Sequence, residues 1–223
     1  MMETPFIAFV LAVIAGNING YTYYAAEIFS TVQSGNIILL GQTIAQKNWS
    51  HLAAIALTVL SFGLGSVFTS IVEGLIAGNH KKNWSTIILA IEAIMLIALA
   101  YILSRDLIQT TYACVIISFI AGMQGNAFHK VNGMLYGNVA VTLVVQLAFS
   151  NLTQSLLGQK DSGKTSSIFF FVLLGFAFGG LIGTLLTAQY QELSLLLPSA
   201  LLIALAIRTY IKGDVEHKVI DPT

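Results

Sequence analysis

The chain has 223 residues and zero formal net charge, with 56% apolar and only 9% charged side chains. Soluble domains carry about 25% charged residues, so this composition excludes a water-soluble fold, and no Lys/Arg cluster is long enough for a nucleic-acid surface. Cys114 is the only cysteine, which excludes disulfides within the chain and cysteine-based zinc sites.

The first apolar stretch, 5–28, follows Glu3 without the positive n-region of a signal peptide and runs on through polar residues, so it reads as a retained span. Five further stretches lie near 52–76, 85–104, 108–128, 166–188 and 193–211. Each approaches the roughly 20 helical residues that cross about 30 Å of hydrocarbon. Two shorter stretches, 34–46 and 137–152, fall after the first and the fourth. At about 1.5 Å per residue the first of these covers only about 20 Å and reads as a half-helix or re-entrant segment. The expected fold is an all-α membrane protein with six transmembrane helices and two short segments.

The order long, short, long, long occurs twice, dividing the chain into a first membrane repeat at 1–105, a second at 106–213 and a tail at 214–223. Ala15-Gly16-Asn17-Ile18-Asn19-Gly20 parallels Ala121-Gly122-Met123-Gln124-Gly125-Asn126, and Ser61-Phe62-Gly63-Leu64-Gly65-Ser66 parallels Gly175-Phe176-Ala177-Phe178-Gly179-Gly180. If the short segments cross, Lys81, Lys82 and Lys130 face the remaining seven Lys and Arg; if they do not, each half has three spans and the repeats are inverted, the split that the positive-inside rule prefers. One side then holds Lys81, Lys82, Lys130, Lys160, Lys164, Arg208, Lys212 and Lys218 against Lys47 and Arg105. The positive-inside rule makes the richer side cytoplasmic, with both termini on it, in a multi-pass protein of the cell membrane. Lys47-Asn48-Trp49-Ser50 and Lys82-Asn83-Trp84-Ser85 read as helix starts anchored at the headgroups.

Chemistry is expected at the short helices. Ser34 reads as an N-cap, Gly35 permits close approach, and Asn36 and Asn138 present amides near the two helix starts. Asn17, Asn19 and Gly20 are expected to interrupt the first span, and Gln124 and Asn126 the fourth, in a wet or protein-buried interior. Glu92, deep in its span, and Glu27, before the first half-helix, are candidates for proton or ion coupling, with His129 and Lys130 as possible counterparts. Gly175, Gly179 and Gly183 mark a close helix contact, within one chain or in a homo-oligomer through 166–188. No metalloprotease, nucleophile-elbow or phosphate-loop motif occurs, and the histidines do not pair at metal spacing, so no enzyme activity, cofactor or metal is expected.

Ala15-Gly16-Asn17-Ile18-Asn19-Gly20, the run from Gln33-Ser34-Gly35-Asn36 to Gly41, and Ala121-Gly122-Met123-Gln124-Gly125-Asn126 with His129-Lys130 resemble the elements of the YoaK-like family of bacterial membrane proteins. The resemblance spans nearly the whole chain and implies the membrane fold, while the family has no settled activity. Asn19 stands where that family usually has Asp, Ser34 and Tyr136 where it has Thr. The expected function is a secondary transporter or channel-like permease for a small polar or anionic solute at the repeat interface. The alternative is a non-transporting membrane scaffold or partner subunit.

Overall fold

A computed structural model of the chain describes residues 2–77 and 84–212; the tail and Lys81, Lys82 and Asn83 lie outside them. Among the described residues eight α-helices follow one another: α1 Pro5–Ala26, α2 Gln33–Ala45, α3 Trp49–Ala77, α4 Trp84–Ser104, α5 Thr110–Ala127, α6 Thr142–Leu156, α7 Ser162–Tyr190 and α8 Leu196–Lys212. A two-stranded antiparallel ribbon, Lys130–Val131 with Met134–Leu135, lies between α5 and α6, and a 3₁₀ turn, Gln191–Leu195, joins α7 to α8.

Local chemistry sets the ends. Pro5 opens α1, where its missing N–H costs nothing, and Glu27 closes it in the left-handed region at φ 54°. Asn48 caps α3 as expected, its Oδ1 accepting from the His51 amide at 3.3 Å. Ser34 does not cap α2: the N-cap is Val32, without a side-chain bond, and Ser34 lies inside the helix. The ribbon turns at Asn132 and Gly133, both at positive φ, as an Asn-Gly hairpin requires.

Among the described residues, four helical stretches are long and apolar enough to cross a membrane by themselves: α1, α3, α4 and the 51-residue run 162–212 containing α7 and α8. The fourth expected span, α5, has 18 residues with Gln124 and Asn126 in its last turns, which dilutes its hydropathy. The expected breaks at Asn17–Gly20 and Gln124–Asn126 are absent, because α1 runs unbroken from Pro5 to Ala26 and α5 from Thr110 to Ala127. Small and amide residues do not break these helices, because neighbouring helices close on the glycines and accept from Gln124 and Asn126.

Large apolar side chains fill the core and also cover the outer surface. On α3 the exposed residues include Leu57, Leu60, Leu64, Val67, Ile71 and Leu75, while Thr58 and Thr69 are fully buried. On α7 Gly175, Gly179, Gly183 and Thr187 form the buried stripe, and Phe178, Leu181 and Leu185 are exposed. Apolar side chains on the outside and small ones at helix contacts are what lipid as solvent selects.

Two parallel helix pairs organise the interior. A Cβ on Gly16 would overlap the Phe176 carbonyl, one on Gly179 the Val13 carbonyl, and one on Gly183 the Asn17 carbonyl, so α1 and α7 run in the same direction at backbone contact. The second pair repeats this geometry: Gly122 meets the Phe62 carbonyl and Gly65 the Phe119 carbonyl. Thr69 and Ser66 donate across this contact to the Met123 and Gly122 carbonyls, both at 3.2 Å. The glycine stripe of 166–188 is therefore spent on α1 inside the chain.

Candidate functional site: the polar seam between α1 and α5

The site grows from the way α2 is hung. The linker between α1 and α2 turns back along α1, so that the Thr31 amide donates to Asn19 Oδ1 at 3.2 Å and the Ser30 amide to Thr22 Oγ1 at 3.3 Å. Gln33, the first residue of α2, donates to Ser118 Oγ at 3.1 Å, and Ser118 reaches the Thr58 carbonyl at 2.8 Å. Ser118 is about 12 Å into α5 and Thr58 about 14 Å into α3, counted from their first turns. The far end of α2, at Gln42, Thr43 and Gln46, instead shares a pocket with Tyr23 and Glu27 at the end of α1 and with His51 at the start of α3. Helix α2 thus begins in the interior and leaves at the end where α1 finishes.

Helix α6 is hung from the opposite end. It runs back along the start of α7, with Ser166 donating to the Ala148 carbonyl at 2.8 Å and Ser162 to Gln154 at 3.5 Å. Its inner residue Val144 packs with Ala8, Ala12 and Val172. The first and last described turns of the chain meet at this end, where Thr209 donates to the Met2 sulfur at 3.0 Å and Arg208 lies 5.8 Å from the Phe6 ring centre. Glu3 holds the ribbon turn there, accepting from the Gly133 amide at 3.0 Å.

Between α2 and α6 lies the contact of α1 with α5. Gln124 Nε2 donates to the Leu11 carbonyl at 3.1 Å, and Asn138 donates to the Gln124 and Phe128 carbonyls at 3.3 and 3.0 Å. Asn19 and Leu11 are about 12 Å apart along α1, so the two linker tips face each other across the middle of the bundle. Since Ser118 lies near the Asn19 level and Gln124 at the Leu11 level, α5 runs opposite to α1.

The expected site residues divide by what they touch. The Asn36 amide donates to the Phe29 carbonyl at 2.5 Å and to Gln33 at 2.9 Å, and accepts from the Phe29 amide at 3.1 Å, which closes the linker. Gly35 packs under the Phe29 ring, Ser34 is exposed, and Asn126 reaches the Ser66 carbonyl and Ser70 Oγ at 3.0 and 2.9 Å. Asn17 is different: both its amide atoms are buried without a partner. One acceptor of Gln124, one of Asn138 and the Thr31 hydroxyl are likewise unpaired. Two residues from Asn19, Asn17 points about 200° away around the helix, so it cannot share the Thr31 linker and faces the side of Tyr21, whose buried hydroxyl is also unpaired.

Glu92 is fully buried with neither oxygen partnered. Its possible counterparts His129 and Lys130 follow Phe128, which stacks on Trp84 at 6.3 Å, whereas Glu92 is about 12 Å further along α4. Glu27 is exposed at the rim of the α2 pocket. Thr22, Ser30, Thr31, Thr58 and Ser118, and the side chain of Gln33, join the site without being expected there from the sequence. The one available signal was the polar run Ser30-Thr31 with Gln33, lying directly before a helix that starts in the interior.

No curated protein and no solved structure matches this chain. A family described as a protein of unknown function, DUF1275, matches residues 7–208, nearly all of the described helical core, in agreement with the resemblance to uncharacterised YoaK-like proteins. The chain belongs to this DUF1275 family.

Proposed function

We propose that the protein is a secondary transporter or channel-like permease for a small polar or anionic solute. In this reading six helices span the bilayer as two inverted three-span repeats, and α2 and α6 re-enter from opposite faces. The observation that carries it is the pair of half-helices, hung from opposite ends, whose polar tips approach one α1–α5 contact from either side. Such half-helices supply free amides and a partial positive charge of roughly half a unit at the bilayer centre, where substrates of inverted-repeat transporters bind. The exchanged helix pairs, α1 with α7 and α3 with α5, repeat the same glycine-to-carbonyl contacts, which supports duplication and inversion. Lys130, Lys160, Lys164, Arg208 and Lys212 belong to the end where Met2 lies, and Lys47 and Arg105 to the other. The positive-inside rule then makes the Met2 end cytoplasmic.

Asn17, Gln124 and Asn138 hold unpaired polar atoms in the interior and are the residues that solute contact would satisfy. Glu92 is the residue for proton or cation coupling, since a carboxyl buried within a span is costly unless it works. A second reading, a non-transporting scaffold or partner subunit, is favoured by Asn36, whose amide is fully used inside its own linker. The deciding experiment is an unbiased metabolite uptake screen on purified protein in liposomes, with Asn17→Leu beside wild type. Uptake of a polar solute that is lost in Asn17→Leu supports transport through this seam; a well-folded protein that moves nothing supports the scaffold.

A further inference from the structure

Two pockets adjoin at the end of the bundle where α2 leaves. One of about 400 Å³ lies between the starts of α3 and α5 and includes His51, Ala54, Gln109 and Val115. The other, of about 210 Å³, lies over α2 and includes Glu27, Leu39 and Gln46. They share Asn48 and His51 as a common wall and are together termed the vestibule.

Beneath it is a small apolar cluster separate from the main core: Ile28, Ala54, Ile55 and Cys114, with Leu39 and Leu40 packed against it. Ala54 is at once wall of the larger pocket and part of the cluster, and Leu39 does the same for the smaller one. Ile55 lies one turn inward of His51 on α3, and Ser118 one turn inward of Cys114 on α5, a step of about 6 Å. Below the Asn48 and His51 wall the cluster is therefore a layer about one side chain thick above the Ser30–Gln33–Ser118 hydrogen bonds, while the larger pocket continues past it along α3 to Leu57.

Resting on the transport reading above, we propose that this vestibule is the solute's outer mouth and that Ile28, Ile55 and Cys114 form the gate closing it from the polar seam. An apolar constriction between two polar zones stops polar solutes and ions by dewetting. The gate is assembled from the linker, α3 and α5 and braced by α2, so a tilt of the half-helix against α3 opens it.

Cys114 is fully buried in the gate and is the only cysteine of the chain, which makes it a native reporter. Its labelling by a membrane-impermeant methanethiosulfonate is measured in sealed vesicles of each orientation. Thr111→Cys in a Cys114→Ser background reports the open vestibule. The gate predicts slow labelling of wild-type Cys114 from the Gln46 face only and fast labelling at position 111. Ile28→Ala and Ile55→Ala should each raise the Cys114 rate about tenfold, equivalent to about 1.4 kcal/mol in the opening equilibrium. No labelling of native wild type from that face, equal labelling from the opposite face, or an unchanged rate in a plug variant that melts like wild type overturns the gate. If neither variant folds, the wild-type arms still decide. The readout needs no solute, so its failure counts against the gate alone and a silent uptake screen against the transport reading alone.

Discussion

Gly179→Ala is a one-methyl change whose effect follows from the helix pairs. The added Cβ would overlap the carbonyl oxygen, carbonyl carbon and Cα of Val13. These are backbone atoms of a continuous helix, so no rotamer relieves the overlap and α1 must move away from α7. Overpacking of this kind costs about 1–3 kcal/mol, against which alanine regains about 1 kcal/mol of helix propensity over glycine. The net loss is thus about 0–2 kcal/mol for alanine and more for Gly179→Leu. Gly65→Ala meets the Phe119 carbonyl in the same way and should cost about as much. Gly63→Ala and Gly74→Ala meet nothing within 4 Å and should hold or raise stability, by up to about 1 kcal/mol. Thermal melting of the four alanine variants and of Gly179→Leu, purified in one detergent, gives the ranking. A Gly179→Ala protein melting at or above Gly63→Ala would refute the backbone-contact account, and a Gly179→Leu protein that melts like wild type yet is inactive would move this glycine from packing to function.

Asn36→Ala strips both partners from the Phe29 backbone and should lower stability by about 1–3 kcal/mol in thermal melts. Asn17→Leu removes two unpaired buried atoms and should leave the melting temperature unchanged or raised while abolishing uptake; a large drop would show that Asn17 has a structural partner. Glu92→Gln keeps the shape without the ionisable group, so the fold should persist and any dependence of uptake on a proton gradient should vanish. An undiminished gradient dependence would remove Glu92 from coupling.

The element order was legible because hydropathy and length alone separate long from short helices. The stretch at 34–46 became Gln33–Ala45. The one at 137–152 became Thr142–Leu156, five residues late at its start, because Gly137 and Asn138 belong to the exit from a hairpin that turns at Asn132-Gly133. The repeated Ala-Gly motif was correctly read as a special place and wrongly as a break. Gly16 and Gly122 exist for backbone contact with a partner helix, and an uninterrupted helix serves that better. Ser118 and Thr58 left no trace in the pattern, since a lone hydroxyl in an apolar helix looks the same whether it bonds its own turn or a neighbour. Only the fold of the 27–32 linker, set by Asn19 and Thr22, brings their partners within reach.

Opposite-sided re-entry of α2 and α6 is tested most directly by single-cysteine topology. Gln46→Cys and Gln159→Cys, each in a Cys114→Ser background, are exposed to a membrane-impermeant maleimide in intact cells and in inverted vesicles. Position 46 should label only from outside the cell and position 159 only in inverted vesicles. Labelling of both positions from the same side would contradict the inverted repeats, and with them the shared seam at the bilayer centre.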